Sequence, residues 1–251
     1  DGGLSMASKK GYRMARGSHG VARGTWFFEV EVEHLGGSGH ARLGVATEKS
    51  ELQAPVGYDR HSYAYRDLGG AKCHQSLRED YGEGFTEGDC IGVLLHLPRE
   101  EGWQEKKPEV VKWKGNLWLL PPLDEEPAPV PGSQLLFSCN GRSQGVAYEG
   151  LLDGKYFPAG SLYTMPEEPQ AARLRFNFGP DFRHGPGCFP HSGVRPLCDV
   201  AAPKAEPQAE PKLEPKPGNS TGPGVEPSAG PRAQPGGEPK VEVKMEPSRG
   251  A

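Results

Sequence analysis

Three glutamates, Glu29, Glu31 and Glu33, recur at every second position of WFFEVEVE, residues 26–33. In an extended chain this spacing sets them on one face of a strand. Carboxylates so placed on a β-sandwich can serve as the nucleophile and acid/base of a glycosidase. Phe27 is the one aromatic beside them suited to stacking on a sugar, and alternating Glu is equally the ordinary make-up of a strand's wet face. A second set, His184, Cys188, His191 and Cys198, has residue types that suit zinc. Its spacings match no common finger, and its segment is short and rich in Pro and Gly, so incidental loop residues are the better reading. His19 and His74 stand alone and read as structural hydrogen-bonding groups. There is no GxSxG elbow, P-loop, HExxH or CxxC, and the glycines at 36, 37, 39 and 44 do not make GxGxxG. The sequence therefore predicts no catalytic residue, no metal and no cofactor.

A different chemistry comes from arginines set beside aromatics and proline in loop-like segments. Tyr12 sits in GYRMARGSHG, Arg42 in ARLG, Pro55 and Tyr58 in LQAPVGYD, and Tyr63, Tyr65 and Arg66 in HSYAYR. Guanidinium forks pair carboxylates bidentately, and flat rings supply apolar area at low entropy cost, which is what a groove for an acidic peptide needs. Any one of these residues alone could equally be a core tyrosine or a solvated arginine.

The elements that must position them read as strands. Trp26, Phe28, Val30 and Val32 fall on one face of residues 26–33, and Phe27 and the glutamates on the other, giving one buried and one mostly wet face. Leu174, Phe176 and Phe178 alternate with Arg173, Arg175 and Asn177, and Ile91, Val93, Leu95 and Leu97 alternate likewise. Segments 134–139 and 142–148 flank Asn140-Gly141, a pair tolerant of positive φ that predicts a two-residue hairpin. Shorter strands are expected at 13–15, 41–46, 62–66, 110–113 and 156–161, and no helical stripe of three turns is found. Many short strands separated by turns mean an all-β fold, a two-sheet antiparallel sandwich. Residues 99–133, with Trp103, Trp113, Trp118 and PPLDEEPAPVPG, read as a long mobile loop insertion holding one strand or hairpin.

Composition divides the chain. Of 251 residues, those at 201–251 carry 11 of the 26 prolines and no aromatic. Their larger apolar residues are Leu213, Val225, Val241, Val243 and Met245. Residues 1–200 are expected to fold as one domain, and 201–251 to be a disordered Pro/Glu/Lys-rich tail that cannot bury enough surface to offset chain entropy. Lys-x-Glu-Pro recurs loosely in the tail, which reads as a solvated linker. Val243-Lys244-Met245-Glu246 also matches the apolar-Lys-x-Glu pattern of SUMO attachment, which makes Lys244 the candidate modification site. The net charge of −4 excludes a strongly basic nucleic-acid protein. No apolar run approaches the roughly 18 residues of a membrane span. Five cysteines without CxxC favour reduced, intracellular thiols, where the sequon Asn219-Ser220-Thr221 has no meaning. The chain begins at Asp1 without an initiator methionine and reads as a fragment.

The stretches GYRMARGSHGVARGTWFFEVEV, ARLGVAT, LQAPVGYDRHSYAYRD, KCHQS, YGEGFTEGD, NGRSQGVAY, YFPAGSLY and LRFNFGPDF occur in that order within residues 1–200. Together they resemble the SPRY domain of the absent-small-or-homeotic-discs family. That family supplies a core subunit of the COMPASS/trithorax histone H3 lysine-4 methyltransferase complexes. LQAPVGYD with the following HQS is specific to this branch of SPRY proteins. The resemblance implies a SPRY-type sandwich and a nuclear, chromatin-associated, non-catalytic subunit acting in transcription regulation. It also implies a site for an acidic, partly aromatic segment of the WD-repeat retinoblastoma-binding subunit, at Tyr12, Arg42, Pro55, Tyr58 and Arg66. Further partners would be a SET-domain methyltransferase and, through the complex, the nucleosome, with no membrane. The alternatives are a SPRY substrate-recognition adaptor for another peptide and, more distantly, a sandwich-fold glycosidase.

Two departures from the family's pattern matter. After Arg66 the family continues with lysines, whereas Asp67-Leu68-Gly69-Gly70 stands here, which implies weaker affinity for a highly acidic ligand. In the family, an RPMSD-like stretch leads to an amphipathic helix that docks the Dumpy-thirty-type dimer. Here Arg195–Asp199 is followed by the proline-rich tail, so that subunit is not expected to bind this chain. The given residues include no zinc-finger or winged-helix region, so DNA contact by that route is not claimed.

Overall fold

The computed structural model describes residues 4–98, 109–120 and 126–200, all within one compact unit. The tail at 201–251, with Lys244 and the segment where a Dumpy-thirty docking helix would lie, is outside the described residues, as are parts of the 99–133 excursion.

Two antiparallel sheets carry the fold, and no α-helix occurs among the described residues. The first runs β1 (Ser5–Ser8), β14 (Ala172–Asn177), β3 (Gly24–His34), β8 (Cys90–Leu97), β11 (Gln134–Cys139) and β12 (Arg142–Glu149). A two-residue strand, β15 (Arg195–Pro196), adds to β3 in parallel, opposite Trp26 and Phe27. The second runs β2 (Arg13–Arg16), β13 (Tyr156–Tyr163), β4 (His40–Thr47), β5 (Ser62–Arg66), β6 (Lys72–His74) and β7 (Leu77–Glu79). The expected sandwich is present, and its core is filled by the alternation read from the sequence. Phe28, Val30, Val32, Ile91, Val93 and Phe137 of the first sheet pack with Leu43, Val45, Tyr63, Tyr65 and Leu162 of the second. Asn140 and Gly141 take φ of 50° and 78° between β11 and β12, the left-handed pair that a tight hairpin requires. Within the excursion, β9 (Glu109–Trp113) and β10 (Asn116–Leu120) form the expected hairpin around Lys114-Gly115. Strands β1, β6, β7 and β15 are short, lack clear alternation, and have no counterpart among the sequence-based expectations.

One expectation is corrected. The second face of β3 is wet only toward its end: Phe27 and Glu29 are 0% and 2% exposed, while Glu31 and Glu33 stay partly exposed. The segment after β14 returns across this face, and Phe182 and Phe189 close on Phe27 at 4.8 and 6.0 Å between ring centroids. Phe27, Leu94, Leu136 and Phe189 form a separate apolar cluster there. The Glu29 carboxylate accepts the backbone N–H groups of Arg183, His184 and Gly185 at 2.7, 2.9 and 2.9 Å. A buried carboxylate is tolerable when several donors satisfy it. Period-two alternation gives no sign of a strap supplied from far along the chain.

Candidate functional site

The outer face of the second sheet is built from small residues. Ala46, Ala64, Cys73 and Ala159, with Met14, make a shallow bed on which Val56 packs. The β4–β5 loop, residues 48–61, therefore folds back over its own sheet. Val56 N–H donates to Ser161 Oγ at 3.2 Å, Gly57 N–H to Ser62 Oγ at 2.9 Å, and Met14 N–H to the Leu52 carbonyl at 3.0 Å. Asp59 clamps the loop by accepting from Glu51 N–H, His61 N–H and the Ser62 hydroxyl. The HQS segment holds it from the other side: Gln75 N–H donates to the Asp59 carbonyl, Ser76 N–H to that of Gly57 and Ser76 Oγ to that of Tyr58. Gly57 is obligatory, because its φ is 82° and a Cβ there would lie 2.3 Å from the Cys73 carbonyl oxygen. LQAPVGYD and HQS are thus one interlocked unit.

Beside this loop stand the arginines. Arg42 of β4 and Arg66 of β5 are direct cross-strand partners, so two guanidiniums share one face. Arg42 is 8% exposed. Its guanidinium lies 5.2 Å from the Tyr12 ring centroid, and Nη1 donates to the Val56 carbonyl at 3.4 Å. Tyr12 stacks on Tyr163 at 5.5 Å. Burial pushes the Tyr12 phenol up to about 12, aided by the Asp67 charge and opposed by Arg42 and Arg66. Asp67 follows β5 and pairs with His40, Nδ1 to Oδ2 at 2.7 Å. Four buried atoms of this cluster, Tyr12 Oη, Arg42 Nε, Arg66 Nε and Asp67 Oδ1, make no hydrogen bond of ordinary geometry. Buried polar groups are normally satisfied, so the cluster holds unspent capacity, mostly donors, which suits an anionic ligand.

Of the residues expected at the site, Tyr12, Arg42 and Arg66 come together directly. Pro55 and Tyr58 lie on the loop that Arg42 tethers, joined by the Tyr58 N–H to Pro55 carbonyl bond at 3.1 Å, with Tyr58 52% exposed. Tyr63 and Tyr65 point inward and belong to the core. Asp67, read from the sequence as a departure after Arg66, is here paired with His40, which the sequence reading missed because nothing in the sequence shows that the two meet.

The other chemistry-bearing residues are dispersed. Glu31 faces Arg183, and Glu33 faces Arg173 and Arg175. His191 bonds Gln134, Cys188 packs under Phe189, and Cys198 is exposed. Among the described residues, no three His, Cys, Asp or Glu side chains are grouped to hold a metal. Burial first, and then the neighbouring Glu29 charge, pushes the Cys90 thiol up to about 12, far from a reactive thiolate. His74 stacks on Tyr63 at 4.1 Å and meets the Ser62 carbonyl, a structural role.

The SPRY domain family matches residues 25–101. The Drosophila melanogaster Set1/Ash2 histone methyltransferase complex subunit ASH2 is 35% identical over 194 residues, covering 72% of this chain and 33% of that protein. The Caenorhabditis elegans Set1/Ash2 histone methyltransferase complex subunit ash-2 is 34% identical, covering 73% and 35%. The Schizosaccharomyces pombe Set1 complex component ash2 is 32% identical, covering 78% and 36%. The chain spans about a third of the length of these curated relatives. It carries a SPRY domain and is a homologue of the Ash2 subunits of Set1 histone methyltransferase complexes.

Proposed function

We propose that this chain is a non-catalytic binding subunit that assembles and stimulates a histone H3 lysine-4 methyltransferase complex in the nucleus. Tyr12, Arg42, Pro55, Tyr58 and Arg66 receive an acidic, aromatic segment of the WD-repeat retinoblastoma-binding subunit. The observation that carries this reading is the cross-strand Arg42–Arg66 pair beside an interlocked LQAPVGYD loop, in a homologue of proteins named as complex subunits. A SET-domain methyltransferase is the catalytic partner, and the nucleosome is met through the assembly. The Dumpy-thirty-type dimer is not expected to bind this chain, because the prolines at 203, 207, 211, 215 and 217 disfavour the amphipathic helix that such docking would need. Co-elution of the two purified proteins on size exclusion would overturn that part.

The experiment is capture from nuclear extract on immobilised residues 1–200, with mass-spectrometric identification. The expected result is recovery of the WD-repeat subunit with a SET-domain enzyme, and its loss with Arg42→Ala. Recovery of unrelated proteins that carry a common peptide motif would favour the substrate-adaptor reading instead.

A further inference from the structure

A charge of opposite sign lies beside the arginine face. Asp67 directly follows Arg66 and is 7% exposed. Its backbone is pinned on both sides: its N–H donates to the Ala41 carbonyl at 3.1 Å, and its carbonyl accepts Phe85 N–H at 3.2 Å. One carboxylate oxygen meets His40, and the other, Oδ1, is buried without a partner. Tyr12 feels the charges of Asp67, Arg42 and Arg66 together, so the three ionic groups occupy one electrostatic neighbourhood. With the paired His40 ring neutral, two guanidiniums and one carboxylate leave a single net positive charge where the arginines alone would present two. The rim beyond Asp67 adds no cation: Leu68 is 56% exposed, and Gly69 and Gly70 follow.

We propose that Asp67 is a built-in counter-charge that determines specificity at this face, selecting a ligand segment with a single carboxylate set among aromatic and neutral residues over an acidic run. The inference rests on the peptide-binding reading of the same face. The first ligand carboxylate meets the Arg42–Arg66 pair. A second would be repelled by a fixed, poorly solvated negative charge, where screening is weak. Leu68 favours an apolar neighbour at that position.

The test uses two synthetic peptides of one aromatic frame, one with a single glutamate and the other with a run of glutamates, titrated calorimetrically into the full chain. Wild type is expected to bind the single-glutamate peptide about threefold or more tighter than the glutamate run. Asp67→Asn is expected to bind the glutamate run about three- to tenfold tighter than wild type does, with a smaller change for the single-glutamate peptide. A wild-type protein that binds the run as tightly as the single-glutamate peptide or more tightly, or an Asp67→Asn protein that binds the run no tighter than wild type does, overturns the proposal. The wild-type comparison needs no variant, so it decides the matter even where Asp67→Asn does not fold. Arg66→Ala is the separate arm: unchanged binding of both peptides would remove the face itself as the site, whatever Asp67 does.

Discussion

Arg42 and Arg66 are held before any ligand arrives. Arg42 rests against the Tyr12 ring and on the Val56 carbonyl, and Arg66 faces it across the β4–β5 ladder. A guanidinium already fixed in its rotamer loses little entropy when a carboxylate binds. Arg42→Ala or Arg66→Ala should therefore each weaken binding of the acidic segment by roughly 1.5–3 kcal/mol, the cost of taking one member from a charge-assisted pair. Lysine at either position should recover only part of this, because it keeps the charge and loses the planar fork. Calorimetry at two salt concentrations checks both points, with affinity falling as salt rises. Wild-type affinity in both alanine variants, with the fold intact, would take these residues out of the site.

At the level of elements, two irregular segments do most of the positioning: the 48–61 loop over the second sheet and the strap at 178–196 over the first. The strap is anchored by Glu29, whose carboxylate collects three consecutive backbone N–H groups. Glu29→Ala should destabilise the body by about 2–3 kcal/mol, since it orphans buried donors, and should raise hydrogen exchange across 183–189. A thermal midpoint and exchange pattern like wild type would show that the strap is held by Phe182 and Phe189 alone. The contrast between loop and strap shows what the sequence makes legible. A strand whose side chains alternate between a core and an outside, such as β14, can be read directly, and so can a turn whose φ demands Asn-Gly. The Tyr12, Arg42 and Arg66 grouping was legible through its family motif. Tyr63 and Tyr65 were not separable from Arg66 by residue type, and only the pleat decides that they turn inward. Glu29 looked like a surface residue because the donors that satisfy it lie more than a hundred residues away in the chain.

For the whole molecule, buried phenols set the alkaline limit. Burial raises Tyr12, Tyr63, Tyr65, Tyr81, Tyr148 and Tyr156 above the ordinary tyrosine value of 10.0. A raised folded-state pKa means that the unfolded chain loses its proton first. The contribution of these groups is complete below pH 10 and is lost as pH rises through the folded values, which for Tyr12 is about 12. Denaturant melts taken at rising pH should show stability falling from about pH 10 upward, with tyrosinate absorbance appearing alongside unfolding. Independent ionisation of all these phenols in the folded protein would contradict it. Removing residues 201–251 should leave the thermal midpoint of the body within a few degrees, because that stretch has so little apolar area to offer; a larger drop would show that it packs on the sandwich. The pairing of β3 has a consequence for synthesis. This strand leaves the ribosome before its ladder partners, which come from residues 90–97, 172–177 and 195–196. Until the chain has been made to Pro196, Trp26, Phe27 and Phe28 stand beside open strand edges. Long-range closure of this kind is slow and exposes the chain to aggregation. Expression boundaries drawn before Pro196 should give insoluble protein, including one at the end of the matched segment, residue 101.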